Sequence, residues 1–241
     1  MMLRKTLLLF LLLAAITVKA QNADLKQNVL NETAVVRGED GNVYPYVVWQ
    51  KLMSTGKYGL KTRGTKTEGG LTEYLIFELS EAQKISYFEN MPKPRPSVSF
   101  KEGEDFTGFK VTDIDGNKFD FREAKGKVIV LNFWFINCPP CRQEIPQLNE
   151  LVARYKDNPD VVFLAVATDE KYDLQKFLKS NPYHYNVVHK GRYLASKYSV
   201  TLYPTHAVID KQGKIKFSTV GLAANTIHWI RKSIDESLTA N

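Results

Sequence analysis

Apolar and polar residues follow two different periods along this chain, and the changes of period mark its elements. The plainest is an apolar run at residues 128–136, VIVLNFWFI, rich in β-branched and aromatic residues and interrupted only by Asn132. It predicts a central strand buried on both faces, and a second such run covers 161–168. Residues 142–155 place Leu148, Leu151, Val152 and Tyr155 on one face of a predicted helix. Residues 172–179 and 193–198 read as two further helices, the first stopped by Asn181-Pro182. Ile227, Ile230, Ile234 and Leu238 recur at helical spacing behind Asn225, which predicts a final helix capped by that side chain. Short runs at 109–114 and 118–121 flank Asp115-Gly116, and those at 205–210 and 214–220 flank Lys211-Gln212-Gly213, so both pairs read as hairpins. Strands alternating with helices predict an α/β sheet with helices on both faces.

The upstream part is less regular. Strands are expected at 33–37 and 44–49 around an Asp40-Gly41 turn, and another at 73–79. Ser80 to Gln83 has capping-box spacing, which predicts a short helix to about residue 90. Pro92, Pro94 and Pro96 then favour an extended linker, because proline cannot continue a helix. The domain boundary is placed there. Residues 21–97 form a small α+β accessory region without a chemical motif, and 98–241 form the second domain.

Residues 1–20 carry Arg4 and Lys5, an apolar stretch from 7 to 18 and then Val18-Lys19-Ala20, the pattern of a cleaved signal peptide. The stretch is short for a membrane span of about 20 residues, and an uncleaved anchor is the alternative reading. An export signal places the protein in the bacterial periplasm or cell envelope, with no stable membrane insertion after cleavage. Removing these residues takes the net charge from +7 to about +4. The remaining lysines are dispersed, so nucleic acid is not an expected partner.

The chain has two cysteines, Cys138 and Cys141, around Pro139-Pro140. A disulfide across so short a loop removes little entropy from the unfolded chain, so stabilisation explains it poorly and reactivity explains it better. A structural disulfide or half of a zinc site are the alternatives. Zinc needs roughly four ligands, and His184, His189, His206 and His228 are not spaced as a ligand pair. No metal or other cofactor is expected. A strand delivering C-x-x-C to the first turn of a helix is the arrangement of thiol–disulfide exchange. Cys138 would attack as the thiolate, favoured by the helix N-terminus. Cys141, one turn on and more buried, would resolve the mixed disulfide.

The stretch NFWFINCPPCRQEIP resembles the N-F-W-A-x-W-C-P-P-C-R-x-E-x-P signature of exported TlpA/ResA-like thioredoxins. The resemblance runs from about residue 98 to the C-terminus. It includes FTGFKVTDIDGNKFDFREAKGKVIVLNFW, similar to the family's opening hairpin and first core strand, and KYSVTLYPTHAVIDKQGKI. It implies a thioredoxin-like fold: a central mixed sheet, an N-terminal β-hairpin and an inserted helix within 172–200. It also implies that Pro204 is the family's cis-proline beside the cysteines, and that the Tyr203 backbone pairs with an extended substrate. Protein thiols and disulfides would be the substrates, and a membrane-embedded or other thiol donor would return electrons. A reductase is expected more than an oxidase.

Some positions depart from the family. Asn137 stands where a tryptophan usually precedes the first cysteine, so substrate contacts at Asn137 differ. Asn132 stands where ordinary thioredoxins bury an acid, and an amide cannot serve as a base. Glu144 matches the family's glutamate and could carry protons, although a first-turn acid stabilising its helix is the simpler reading. His206 reads as a strand residue without a chemical part. Two rivals share the fold: a peroxiredoxin-like peroxidase, whose Pro-x-x-x-Thr-x-x-Cys pattern is missing ahead of Cys138, and a non-catalytic binding or scaffold protein.

Overall fold

The computed structural model describes residues 30–122 and 125–240. The expected export signal at 1–20 lies outside them. Among the described residues no helix is long and apolar enough to cross a membrane.

The upstream region builds a small sheet. Strands β1 (Val35–Arg37) and β2 (Val43–Tyr44) pair antiparallel around a turn in which Gly41 adopts φ +82°. The second expected strand, at 44–49, is mostly a helix: α1 spans Tyr46–Ser54 with Pro45 at its N-cap. Tyr46, Trp49, Leu52 and Met53 form its inward stripe, while Val47 and Val48 face solvent. The β-branched pair suggested a strand, but burial follows the helical period. Strand β3 (Tyr58–Lys66), not anticipated, pairs antiparallel with β4 (Thr72–Glu78), and the sheet order is β2-β1-β4-β3. Helix α2 (Glu81–Asn90) has the expected capping box: Ser80 Oγ accepts from the Gln83 N–H, and Gln83 Oε1 accepts from the Ser80 N–H.

Downstream, β5 (Lys110–Thr112) and β6 (Lys118–Asp120) form the expected hairpin, with Gly116 at φ +95° in its turn. The rest is a five-stranded mixed sheet. In chain order come β7 (Val128–Trp134), α3 (Pro139–Arg154), β8 (Val161–Ala167), α4 (Lys171–Leu178) and β9 (Asn186–Val188). Then follow α5 (Arg192–Lys197), β10 (Thr205–Ile209), β11 (Ile215–Val220) and α6 (Thr226–Thr239). The order is β11-β10-β7-β8-β9, with β7, β8 and β9 parallel and β10 antiparallel to both of its neighbours. All seven residues of β7 are buried. Val128, Val130 and Trp134 pack with Leu148 of α3, Leu174 of α4 and Ile230 of α6. Ile129, Leu131 and Phe133 pack the other face, against Leu194 of α5 and the hairpin's Phe109 and Phe121. This is the thioredoxin-like α/β fold, with an α+β region ahead of it.

The two parts are tied together along one side. Residues 95–106 run beside β11: the Arg95 carbonyl accepts from the Val220 N–H, and Gly103 and Glu104 bond to Ile215. That segment covers an edge that would otherwise expose unpaired backbone groups. Lys57 pairs with Glu150 at 2.8 Å, and the Gln147 amide donates to the Thr55 carbonyl. Asn225 does sit at the N-cap of α6, but its side chain makes no cap bond. Its amide instead donates to the carbonyls of Phe88 and Pro92, at 3.3 and 3.1 Å. The cap expectation is corrected by this competing pair of acceptors.

Replacing Asn225 by Ala should therefore destabilise the protein by about 1–3 kcal/mol, since two partly buried hydrogen bonds are lost. A urea midpoint equal to that of the parent would refute this. His228 gives a pH dependence. It lies against the Phe88 ring, and burial, reinforced by Arg231, holds its imidazole below the ordinary histidine range, with Glu89 opposing. The unfolded chain takes up this proton at about pH 6.5 and the folded chain only lower. Stability is thus full above that pH and falls as pH drops toward the folded value. The urea midpoint should be lower at pH 5.5 than at 7.5, and His228→Phe should shrink the difference; an unchanged difference would contradict the assignment.

Candidate active site

The site forms where β7 ends. The Trp134 carbonyl accepts from the Thr168 N–H, and the Asp169 carboxylate accepts from the Ile136 N–H at 3.0 Å. These bonds hold the turn that presents Cys138, which occupies the N-cap of α3. Pro139 and Pro140 fill the first two helical positions and have no N–H to offer. The first available amide is that of Cys141, and it donates to Cys138 Sγ at 3.3 Å. Cys138 and Cys141 are joined as a disulfide. The expected contrast in burial is absent: Cys138 is 2% exposed and Cys141 1%. Both sulfurs are enclosed in the oxidised pair, and the exposed groups are the flanking Asn137 and Pro139.

β10 brings the second element. Thr205 pairs with Phe133, so Tyr203 and Pro204 come beside the turn after β7. The Tyr203–Pro204 bond is cis, and Tyr203 packs on the cluster that contains both cysteines. Among the described residues neither the N–H nor the C=O of Tyr203 has a hydrogen-bond partner, which leaves a short stretch of open backbone. The Tyr203 ring meets Phe135 edge-on at 5.3 Å. An aromatic surface thus exists near the cysteines despite Asn137, supplied by two residues that the local motif does not single out. Burial raises the Tyr203 phenol above its ordinary range.

Behind the cysteines lies a polar cluster. Glu144 is not a solvated first-turn acid; it is 2% exposed, and its Oε1 lies 2.8 Å from Nε2 of His206, itself fully buried. His206 is therefore more than a strand residue. It sits across from Asn132 in the β7–β10 register, and the Asn132 amide donates to the Tyr183 hydroxyl at 2.8 Å and toward Glu144 at 3.4 Å. Burial pushes the phenols of Tyr183 and Tyr185 well above their usual range. Helical period alone could have flagged Glu144, since it shares a face with Cys141 and Leu148. Asp169 and Tyr183 carried no sequence signal.

Beside the cysteines runs a groove of about 660 Å³, lined by Asn137, Pro139, Arg142, Pro146, Phe177 and Asn181 among others. Arg142 lays its guanidinium over Phe177, 5.4 Å from the ring centre. Among the described residues no three His, Cys, Asp or Glu side chains gather as a metal site requires.

A cysteine pair at a helix N-cap on this sheet, with a cis-proline alongside, defines a thioredoxin-like thiol–disulfide oxidoreductase. Residues 103–218 match the AhpC/TSA family. The thiol-disulfide oxidoreductase ResA of a Bacillus cereus strain is 34% identical over 120 residues, covering 49% of this chain and 69% of ResA. The chain belongs to the AhpC/TSA family, and to its thiol–disulfide oxidoreductases. Among solved structures, one described as a thiol:disulfide interchange protein DsbE from Chlorobium tepidum is 28% identical with a TM-score of 0.52, covering 58% of this chain and 99% of that one. One described as a protein disulfide isomerase from Bacteroides thetaiotaomicron shares the fold at 24% identity, TM-score 0.55, over 61% of this chain and 96% of its own.

The two prolines make a testable contribution. An N-cap side chain accepts from the amide at the second or third helical position, and Pro140 removes the first of these. Pro140→Ala should restore that donor, lower the pH at which the Cys138 thiol ionises, and make the couple more oxidising. Thiolate absorbance of the reduced variant, followed against pH, checks this; a titration superimposed on the parent's would exclude it.

Proposed function

We propose that this chain is an exported protein-disulfide reductase in which Cys138 is the attacking and Cys141 the resolving cysteine. The observation that carries the direction is the single amide on Cys138 Sγ. With Pro139 and Pro140 silent, the thiolate receives less stabilisation than a full helix N-terminus would give. The reduced form is correspondingly less favoured, and the couple is a better reductant. A substrate segment lies along the open Tyr203 backbone beside Pro204, in the manner of an added strand, with Asn137 on the other flank.

In the reaction, the Cys138 thiolate attacks one sulfur of a substrate disulfide and expels the other as a thiolate. Cys141, deprotonated, then attacks Cys138 Sγ and releases the second substrate thiol. The substrate gains two electrons and the Cys138–Cys141 pair is oxidised. Glu144 lies one turn beyond Cys141 and is the group suited to take its proton. A membrane-embedded or other thiol donor then restores the dithiol. The basic and apolar pattern at 1–20 supports export to the periplasm or cell envelope. Residues 21–97 form the accessory part, and 98–241 the exchange domain.

Cys138→Ala should abolish reduction of a model disulfide, and Cys141→Ala should accumulate mixed disulfides; undiminished turnover in the Cys138 variant would end the proposal. A redox titration separates the directions. A potential of about −270 mV supports a reductase, whereas one of about −120 mV means an oxidant.

A further inference from the structure

The pairing of Glu144 with His206 has no part in the reaction as described so far. A buried carboxylate without a partner costs several kcal/mol, and among the described residues His206 is the one basic side chain within ion-pair distance of Glu144. The groups that face the pair can be named from each element. β7 contributes the neutral amide of Asn132, and α3 contributes Glu144 itself with Cys141 one turn before it. Tyr183 and Tyr185 contribute phenols that burial keeps protonated. On α6, Arg231 and Asp235 are engaged elsewhere, with Glu81 and Tyr155. Nδ1 and Nε2 of His206 and Oε2 of Glu144 have no hydrogen-bond partner among the described residues, although Nε2 lies within ion-pair distance of Oε1. The pair is thus joined by the 2.8 Å approach of Nε2 to Oε1, with the Asn132 amide the other group that reaches Oε1, at 3.4 Å.

We infer that His206 is a positioning residue for Glu144, and that the buried pair, not the carboxylate alone, accepts the proton of Cys141 when the mixed disulfide is resolved. This rests on the exchange reaction proposed above. With one proton between His206 and Glu144, whose Nε2 and Oε1 lie 2.8 Å apart, the pair carries a single negative charge. As the Cys141 S–H bond breaks, its proton joins the pair, which becomes neutral, and the negative charge moves to Cys141 Sγ. That thiolate attacks Cys138 Sγ, forms the Cys138–Cys141 bond and expels the substrate thiolate, which is protonated by solvent. Buried charge is conserved until the leaving group departs, and no further oxidant or reductant is needed. His206 bears on this step because it is the basic side chain 2.8 Å from the carboxylate that faces Cys141 along α3.

The test uses the full chain and a disulfide-bonded peptide, with mixed-disulfide formation and resolution timed separately from pH 5 to 9. In the parent, resolution should rise with pH. In His206→Asn, whose shorter side chain withdraws the imidazole from the carboxylate, the rise should move to higher pH, with a loss of about tenfold at pH 6. His206→Gln, which can present an amide N–H in place of Nε2–H, should recover most of the rate. Glu144→Gln should flatten the dependence. Mixed-disulfide formation, read in the Cys141→Ala background, should be unchanged by either His206 variant. If both His206 variants resolve with the parent's pH profile and only their melting temperatures fall, His206 is merely structural and the inference is overturned. If the parent forms no mixed disulfide at all, the exchange reading fails first and takes this inference with it.

Discussion

Strand β7 is hydrogen-bonded on both sides and buried along its whole length, and the site is a consequence of how its neighbours must connect to it. β8 is parallel to β7, and parallel neighbours cannot be joined by a tight turn; they need a crossover, here a helix. That helix has to begin just beyond the end of β7, so its unsatisfied N-terminus falls at the edge of the sheet, and Cys138 occupies the cap position there. β10, in contrast, runs antiparallel to β7, so its first residue, Thr205, lies beside Phe133 near the end of β7. Tyr203 and Pro204 are therefore delivered to the cysteines by strand direction alone. One parallel and one antiparallel neighbour suffice to bring together three segments far apart in sequence.

The same burial sets the character of the polar residues inside. Asn132 interrupts an otherwise apolar strand and would be costly if unpaired. It is tolerated because Tyr183 and Glu144 come within reach of its amide. Glu144 in turn is tolerated because β10 places His206 in register with Asn132. Each buried polar group thus depends on another from a different element. Asn132 brings an amide to this layer, and a carboxylate on the facing helix and an imidazole on the neighbouring strand lie beside it.

These dependencies explain what could be read from residues and what could not. β7, β8, the hairpins and the last helix were legible because their burial leaves a continuous or periodic apolar signal in the chain itself. Strand β3 was not. Most of it is exposed, with Lys61, Arg63 and Lys66 along an edge, so hydropathy does not mark it and only the partner β4 makes it a strand. Helix α1 was misread because Val47 and Val48, which suggested a strand, are the residues that face solvent. At the site, the cysteines announced themselves by spacing. Glu144 could be picked out by its helical spacing and motif, but its burial and its contact with His206 could not, because they arise between α3 and β10. Asn225 was located correctly as a cap position, yet its amide found better acceptors in the preceding region.

The placement of the upstream region follows from where α3 can be touched without obstructing its first turn. Its contacts fall on Gln147 and Glu150, in the later turns of α3, and on Asn225, His228 and Lys232 at α6. Asn137, Pro139 and Arg142 stay exposed at the other end of the same helix. α3 is therefore held from two directions: the sheet packs along Leu148 and Leu151, and Thr55 and Lys57, between α1 and β3, bond to its distal half. A helix held so far from its N-terminus presents the cysteine pair on a rigid support while leaving the approach to it open. The interior proline, Pro146, weakens α3 between these two ends by removing a backbone donor. The bonds from Thr55 and Lys57 lie on the far side of that weak point, which leaves the cysteine-bearing turn supported by β7, Asp169 and the buried Glu144–His206 pair. The local stability of that turn is thus tied to the same residues that surround its chemistry.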